Sequence, residues 1–217
     1  MKTIYGLELP STLDEVCNPK HLALLIYDMQ VGIVDQIEDA QSIVSKVREV
    51  LDVARASKLR IFFTRHLSLP PELMGAFQFR MAMIWQRQAD PRLVRPWFLR
   101  DSPGFPIVPG LAPLPSEAIF DKITMSAFEG TPLAIALRDC GVRAIAIAGI
   151  AMEVGIEPTV RHAADLGLIP VVISDACGTG HADAGKRSLE SLAFAGDAII
   201  CDVGTFAGKL RHLTPGR

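Results

Sequence analysis

Three polar features stand where apolar runs end. HLALLIYDM, His21 to Met29, delivers Asp28. Glu117 to Ile123 carries Lys122, and the run Val142 to Ala148 passes through Gly149 into the turn Ile150 to Gly155. An acid and a base next to a helix start can transfer protons and hold a developing negative charge, because the first turn exposes unpaired backbone N–H groups. Each group alone also has a structural reading. A lone aspartate after a strand is a turn former or helix cap, and a lone lysine is a solvated surface charge. The three make a site only if the fold brings their ends into one cleft.

The elements that would do so alternate along the chain. His21 to Met29 reads as a buried strand, and Ala40 to Ser57 as a helix with Ile43, Val47, Val50, Leu51 and Ala54 on one face. Leu59 to Thr64 is a second strand ending at Arg65 and His66, and Glu117 to Ile123 a short third. Thr131 to Cys140 is a helix with Gly141 as its C-cap. Val142 to Ala148 is a fourth strand, followed by a helix from about Glu153 to Leu166. Ile169 to Ser174 and Ala198 to Asp202 are the fifth and sixth strands, around a helix Ala184 to Ala195 with Asp183 as N-cap, and Val203 to Leu210 closes with a short helix. Strands and helices in this rhythm predict a three-layer α/β/α, Rossmann-like domain with a six-stranded, mostly parallel sheet. Ligands of such sheets bind at the carboxyl ends of the strands.

One segment breaks the rhythm. Leu67 to Pro115 is too long for a simple connection, and it places Met74, Phe77, Met81, Ile84 and Trp85 on one helical stripe before a proline-rich half with Trp97 and Phe98. It reads as a helix packed on the sheet or on another subunit of a homodimer or homotetramer, or as a wall over the cleft. The chain of 217 residues is expected to form one domain, 1–217, with 67–115 as its insertion.

Composition narrows the partners. A formal net charge of −2 gives no electrostatic case for nucleic acid, and no apolar run reaches the roughly 20 residues of a membrane span. The first twenty residues lack the apolar centre of a signal peptide. Cys17, Cys140, Cys177 and Cys201 stand far apart without metal-like spacing, which suits a reduced, cytoplasmic protein. A small-molecule substrate is the expected partner.

LLIYDMQ (Leu24 to Gln30), DKITMSAF (Asp121 to Phe128) and GIAMEVGIEPTVRHAADLG (Gly149 to Gly167), taken in this order, resemble the isochorismatase-like, or cysteine hydrolase, superfamily. The similarity runs from about His21 to Asp202. It implies a hydrolase with Asp28 as catalytic acid/base and Lys122 as the cation that orients it. It further implies a cis peptide between Ile150 and Ala151, with the N–H groups of Ala151 and Gly155 as an oxyanion hole. Amide-cleaving members carry a cysteine where this chain has Gly155. Glycine supplies no nucleophile, so the thioester route is closed here, and Gly155→Cys would put a thiol where that branch has one. Isochorismatases share the glycine and protonate a vinyl ether without a covalent step, so that chemistry is favoured. Amide hydrolysis by activated water and a non-catalytic binding or scaffold role are the alternatives. Gln30 and His66 are candidate substrate contacts, His66 standing where isochorismatases have glutamine. No metal and no cofactor are expected. Arg161 reads as structural, and Glu153 either favours the helix start or faces the pocket.

Overall fold

The computed structural model describes residues 1–213, in which the short strands β1 (Lys2–Ile4) and β2 (Leu7–Leu9) and the one-turn helices α1 (Leu13–Val16) and α2 (Val31–Val34) lie outside the main sheet. Its centre is β3, Leu22–Tyr27, six apolar residues buried without exception. A strand covered on both faces is continuously apolar, and each Leu or Ile side chain buried here contributes about 1.5–3 kcal/mol. Side chains alternate between faces. Leu22, Leu24 and Ile26 meet α3 (Ala40–Ala56) and α8 (Val203–Leu213) on one side, whereas Ala23, Leu25 and Tyr27 meet α5 (Leu133–Asp139) and α6 (Glu157–Asp165) on the other.

The strands β4 (Arg60–His66), β5 (Ala118–Lys122), β6 (Ala144–Ile150), β7 (Ile169–Gly178) and β8 (Ile199–Cys201) complete a six-stranded sheet in the order β5-β4-β3-β6-β7-β8. Every pairing in it is parallel, a stricter arrangement than the mostly parallel sheet expected. With helices on both faces the three layers are present. From β3 the chain builds outward through β4 and β5. It then returns to β6, on the other side of β3, and builds the opposite way. The reversal lies between β3 and β6, and a crevice opens at their carboxyl ends. Asp28 follows β3, Thr64 and His66 end β4, Lys122 ends β5 and Ala151 follows β6. Topology therefore gathers the three predicted features.

Several details differ from the sequence reading. The helix expected from Glu153 begins instead with one wide turn, Met152–Ile156, in which the N–H groups of Val154, Gly155 and Ile156 all donate to the Ala151 carbonyl. Regular α6 starts only at Glu157, because Pro158 sits at an N-terminal position it tolerates. The helix α7, Ala182–Ala195, is capped at His181, so Asp183 lies inside the first turn rather than at the cap. Strand β7 runs on to Gly178 past a register shift opposite Gly149. Residues Lys2–Ile4 and Leu7–Leu9, not read as strands, form an exposed antiparallel hairpin around the left-handed pair Tyr5 and Gly6. In the insertion, α4 (Ala76–Trp85) buries none of its residues. Packing of this helix on the sheet is thus overturned; the apolar stripe faces outward or toward the cleft. No helix among the described residues is long and apolar enough to cross a membrane.

Candidate active site

Asp28 stands on a strained backbone. Its φ of 46° is left-handed, a conformation that costs a non-glycine residue about 1–2 kcal/mol. Thr64, wholly buried at the end of β4, holds it: its hydroxyl accepts the Asp28 N–H at 3.3 Å and donates to Asp28 Oδ1 at 2.7 Å. The other oxygen, Oδ2, accepts from Lys122 Nζ at 2.6 Å.

Lys122 is the most confined charge in the site. Its side chain is 0% exposed and that of Asp28 5%. Nζ also donates to the Thr124 carbonyl at 3.2 Å and lies 4.3 Å from the centre of the Tyr27 ring, over its face. Burial pushes the Lys122 pKa below the usual lysine range, with Asp28 acting in the opposite direction. A buried pair of this kind persists because each partner removes the cost of leaving the other alone.

Of these groups Asp28 and Tyr27 border a cavity of about 470 Å³, within the range of small-molecule sites. Tyr27, Asp28, His66, Ile150, Ala151 and Glu153 form its floor, and Trp85, Arg87, Trp97 and Phe98 of the insertion form a wall. His66 stacks edge-on against Phe98, ring centres 6.0 Å apart. Burial, reinforced by nearby Lys122, lowers its pKa to about 4 against a partial counter-effect of Asp28, so the imidazole is neutral at neutral pH. The bond between Ile150 and Ala151 is cis. Glu153 faces the cavity, and its Oε1 accepts the His181 N–H at 2.8 Å.

Two expected contacts lie elsewhere. Gln30 is fully buried and its carboxamide is spent on backbone: Nε2 donates to the His66 and Phe105 carbonyls at 3.0 Å each, and Oε1 accepts the His66 N–H. It ties the insertion to β4 and has no donor left for a substrate. Gly155 is buried behind the cavity wall, and its N–H donates to the Ala151 carbonyl at 3.0 Å, so that N–H is engaged within the wide turn rather than aimed at a ligand. Arg161 bridges Glu157, Asp197 and Ser191 and ties α6 to α7. Sequence reasoning missed Thr64, Tyr27 and Arg87. For Thr64 the signal was present, a hydroxyl at the end of the otherwise apolar LRIFFT run. Among the described residues no three His, Cys, Asp or Glu side chains come close enough together to hold a metal ion.

Residues 22–203 match the model of the isochorismatase domain. The chain belongs to the isochorismatase family. Nicotinamidase 3 of Arabidopsis thaliana is 27% identical over 188 residues, 85% of this chain and 86% of the relative. The fold is shared with a cysteine hydrolase from Pseudomonas syringae pv. phaseolicola 1448A, with TM-score 0.77, 21% identity, and coverage of 92% of this chain and 96% of that one. An isochorismatase family protein from Burkholderia thailandensis aligns with TM-score 0.73 and 26% identity, over 90% and 98% of the two chains. The family's homologues include hydrolases such as this nicotinamidase.

Proposed function

We propose that Asp28 is the acid/base of a hydrolase that acts on a small organic molecule without a covalent intermediate, and that isochorismatase-type ether hydrolysis is the favoured reaction. The observation that carries this reading is the Lys122–Asp28–Thr64 chain at the edge of a cavity whose wall includes no cysteine. In the ether reaction Asp28 gives its proton to the vinyl carbon, and water adds to the resulting oxocarbenium ion. The hemiketal then loses the alcohol as its C–O bond breaks, and the proton left over returns to Asp28. Lys122 and Thr64 hold the carboxyl in one orientation through these transfers. The neutral His66 and Ala151 supply polar contacts to the substrate, and the aromatic wall excludes bulk water.

Amide hydrolysis by water activated at Asp28 is the second reading. Both Asp28 oxygens accept hydrogen bonds, the arrangement of a proton acceptor, which favours it. The exposed Phe77 and Ile84 of α4 support assembly as a homodimer or homotetramer, and four free cysteines support a reducing, cytoplasmic setting. The test is Asp28→Asn, assayed on a panel of enol-ether carboxylates and small carboxamides. Turnover of whichever class the parent hydrolyses should fall by about 10²–10⁴-fold. A folded Asp28→Asn protein working at the parental rate refutes the role and leaves the cavity a binding site.

A further inference from the structure

Gly155 has no side chain, and the room one would need is taken. Tyr27 ends β3, and strand alternation turns its ring to the α6 face together with Ala23 and Leu25. A Cβ added at Gly155 would overlap Oη and Cζ of this ring and stand only 2.6 Å from Cε1. The ring is held on three counts. Tyr27 is 2% exposed, its hydroxyl donates to the Met125 carbonyl, and Lys122 Nζ lies on its face. Its backbone is held as well: Gly149 is its partner on β6, and a Cβ there would sit 2.8 Å from the Tyr27 carbonyl carbon and nitrogen. Burial keeps the phenol protonated by pushing its pKa well above the ordinary tyrosine value, a push to which Asp28 adds. The same ring is part of the cavity surface next to Asp28.

We infer that Tyr27 and Gly155 are a size-matched pair that determines which chemistry the cavity permits: the phenol fills the place a side chain at position 155 would occupy, and so reserves the attack to water. The inference rests on the hydrolase reading for the use made of that room, and on the overlap alone for the pairing. A smaller residue at position 27 should open the room again. The pair is therefore a specificity determinant read in two residues at once, neither of which can change to the other's advantage alone.

A size-swap series tests this. Gly155→Ala and Gly155→Cys are each made in the parent, in Tyr27→Phe and in Tyr27→Val, and melting temperatures are compared. In the parent, either change should lower the melting temperature by something on the order of 10 °C, the scale of an overpacked core. Tyr27→Phe should not relieve it, because Cζ and Cε1 remain. Tyr27→Val should recover more than half of the loss. In the folded Tyr27→Val/Gly155→Cys protein, iodoacetamide should alkylate the thiol introduced at position 155, as read by peptide mass, with iodide leaving as the sulfur–carbon bond forms. Losses that simply add between the two positions, a Gly155→Ala protein as stable as the parent, or a folded double variant whose new thiol stays unmodified would each overturn the pairing. None of these readouts uses turnover, so a failure here and a failure of the Asp28 assignment are told apart.

Discussion

Replacing Lys122 by methionine removes a charge while keeping a stem of similar length. What it leaves is a carboxylate that is 5% exposed, with Thr64 as its remaining side-chain donor at 2.7 Å. Breaking a buried pair by removing one partner costs about 3–5 kcal/mol, because the other charge stays desolvated. In a chain of this size that corresponds to a drop of roughly 6–20 °C in melting temperature. The Asp28→Asn change leaves Lys122 without its countercharge and should cost a similar amount. Making both changes strands no charge at all. The double variant should therefore be more stable than Lys122→Met alone, with a coupling energy of at least about 1.5 kcal/mol. Urea denaturation of the four proteins measures it directly. Turnover should show the same dependence, since both residues serve one proton-transfer unit: once either is lost, losing the other costs little more. If the two stability losses add, the 2.6 Å contact is not the interaction that holds the site, and the reasoning from burial fails.

Two further outcomes are expected. His66 has a folded-state pKa of about 4 against an ordinary value of 6.5, so the unfolded chain takes up its proton first as pH falls. Stability from the neutral ring is complete above pH 6.5 and should be lost between there and pH 4, to a total of roughly 3 kcal/mol; His66→Gln should flatten that part of the stability–pH curve, and an unchanged curve would show that other groups cause it. Turnover should survive iodoacetamide, since Cys140, the exposed thiol, lies outside the cavity and burial pushes the Cys17 and Cys201 thiols up to about 11 and 12. Inactivation that tracks alkylation of any single cysteine would show that a thiol takes part after all.

Much of the fold was legible because parallel strands covered on both faces must be continuously apolar, and HLALLIYDM and VRAIAIA are apolar runs of strand length, too short to span a membrane. Boundaries were less so. Helical periodicity ran unbroken through MEVGIEPTVRH, and nothing in it marks that three successive N–H groups converge on one carbonyl, that of Ala151. Hydrophobic pattern reports which face is covered, not how many residues a turn contains. The insertion shows a related limit: the stripe Met74, Phe77, Met81, Ile84, Trp85 states that α4 has an apolar side but not what covers it, and in the fold Trp85 lines the cavity while Phe77 and Ile84 stay exposed.

At the site, charged residues at strand ends were readable and their supports were not. Asp28 and Lys122 are 94 positions apart and meet because β3, β4 and β5 are neighbours in register, with His66 opposite Lys122. Parallel pairing carries each strand's end to the same edge of the sheet, so an acid and a base at strand ends are brought together by topology before any side chain chooses a partner. Gln30 shows the opposite case. Polar and two residues beyond Asp28, it has the sequence setting of a substrate contact, yet a carboxamide has two donors and one acceptor, and three backbone groups at the root of the insertion claim all of them. Such claims come from residues 36 and 75 positions away and leave no local trace. A polar residue near a catalytic one is therefore a ligand contact only after its hydrogen bonds have been accounted for. The difference between Gln30 and His66 is that His66 makes its backbone bonds with its backbone, and its ring remains for the cavity.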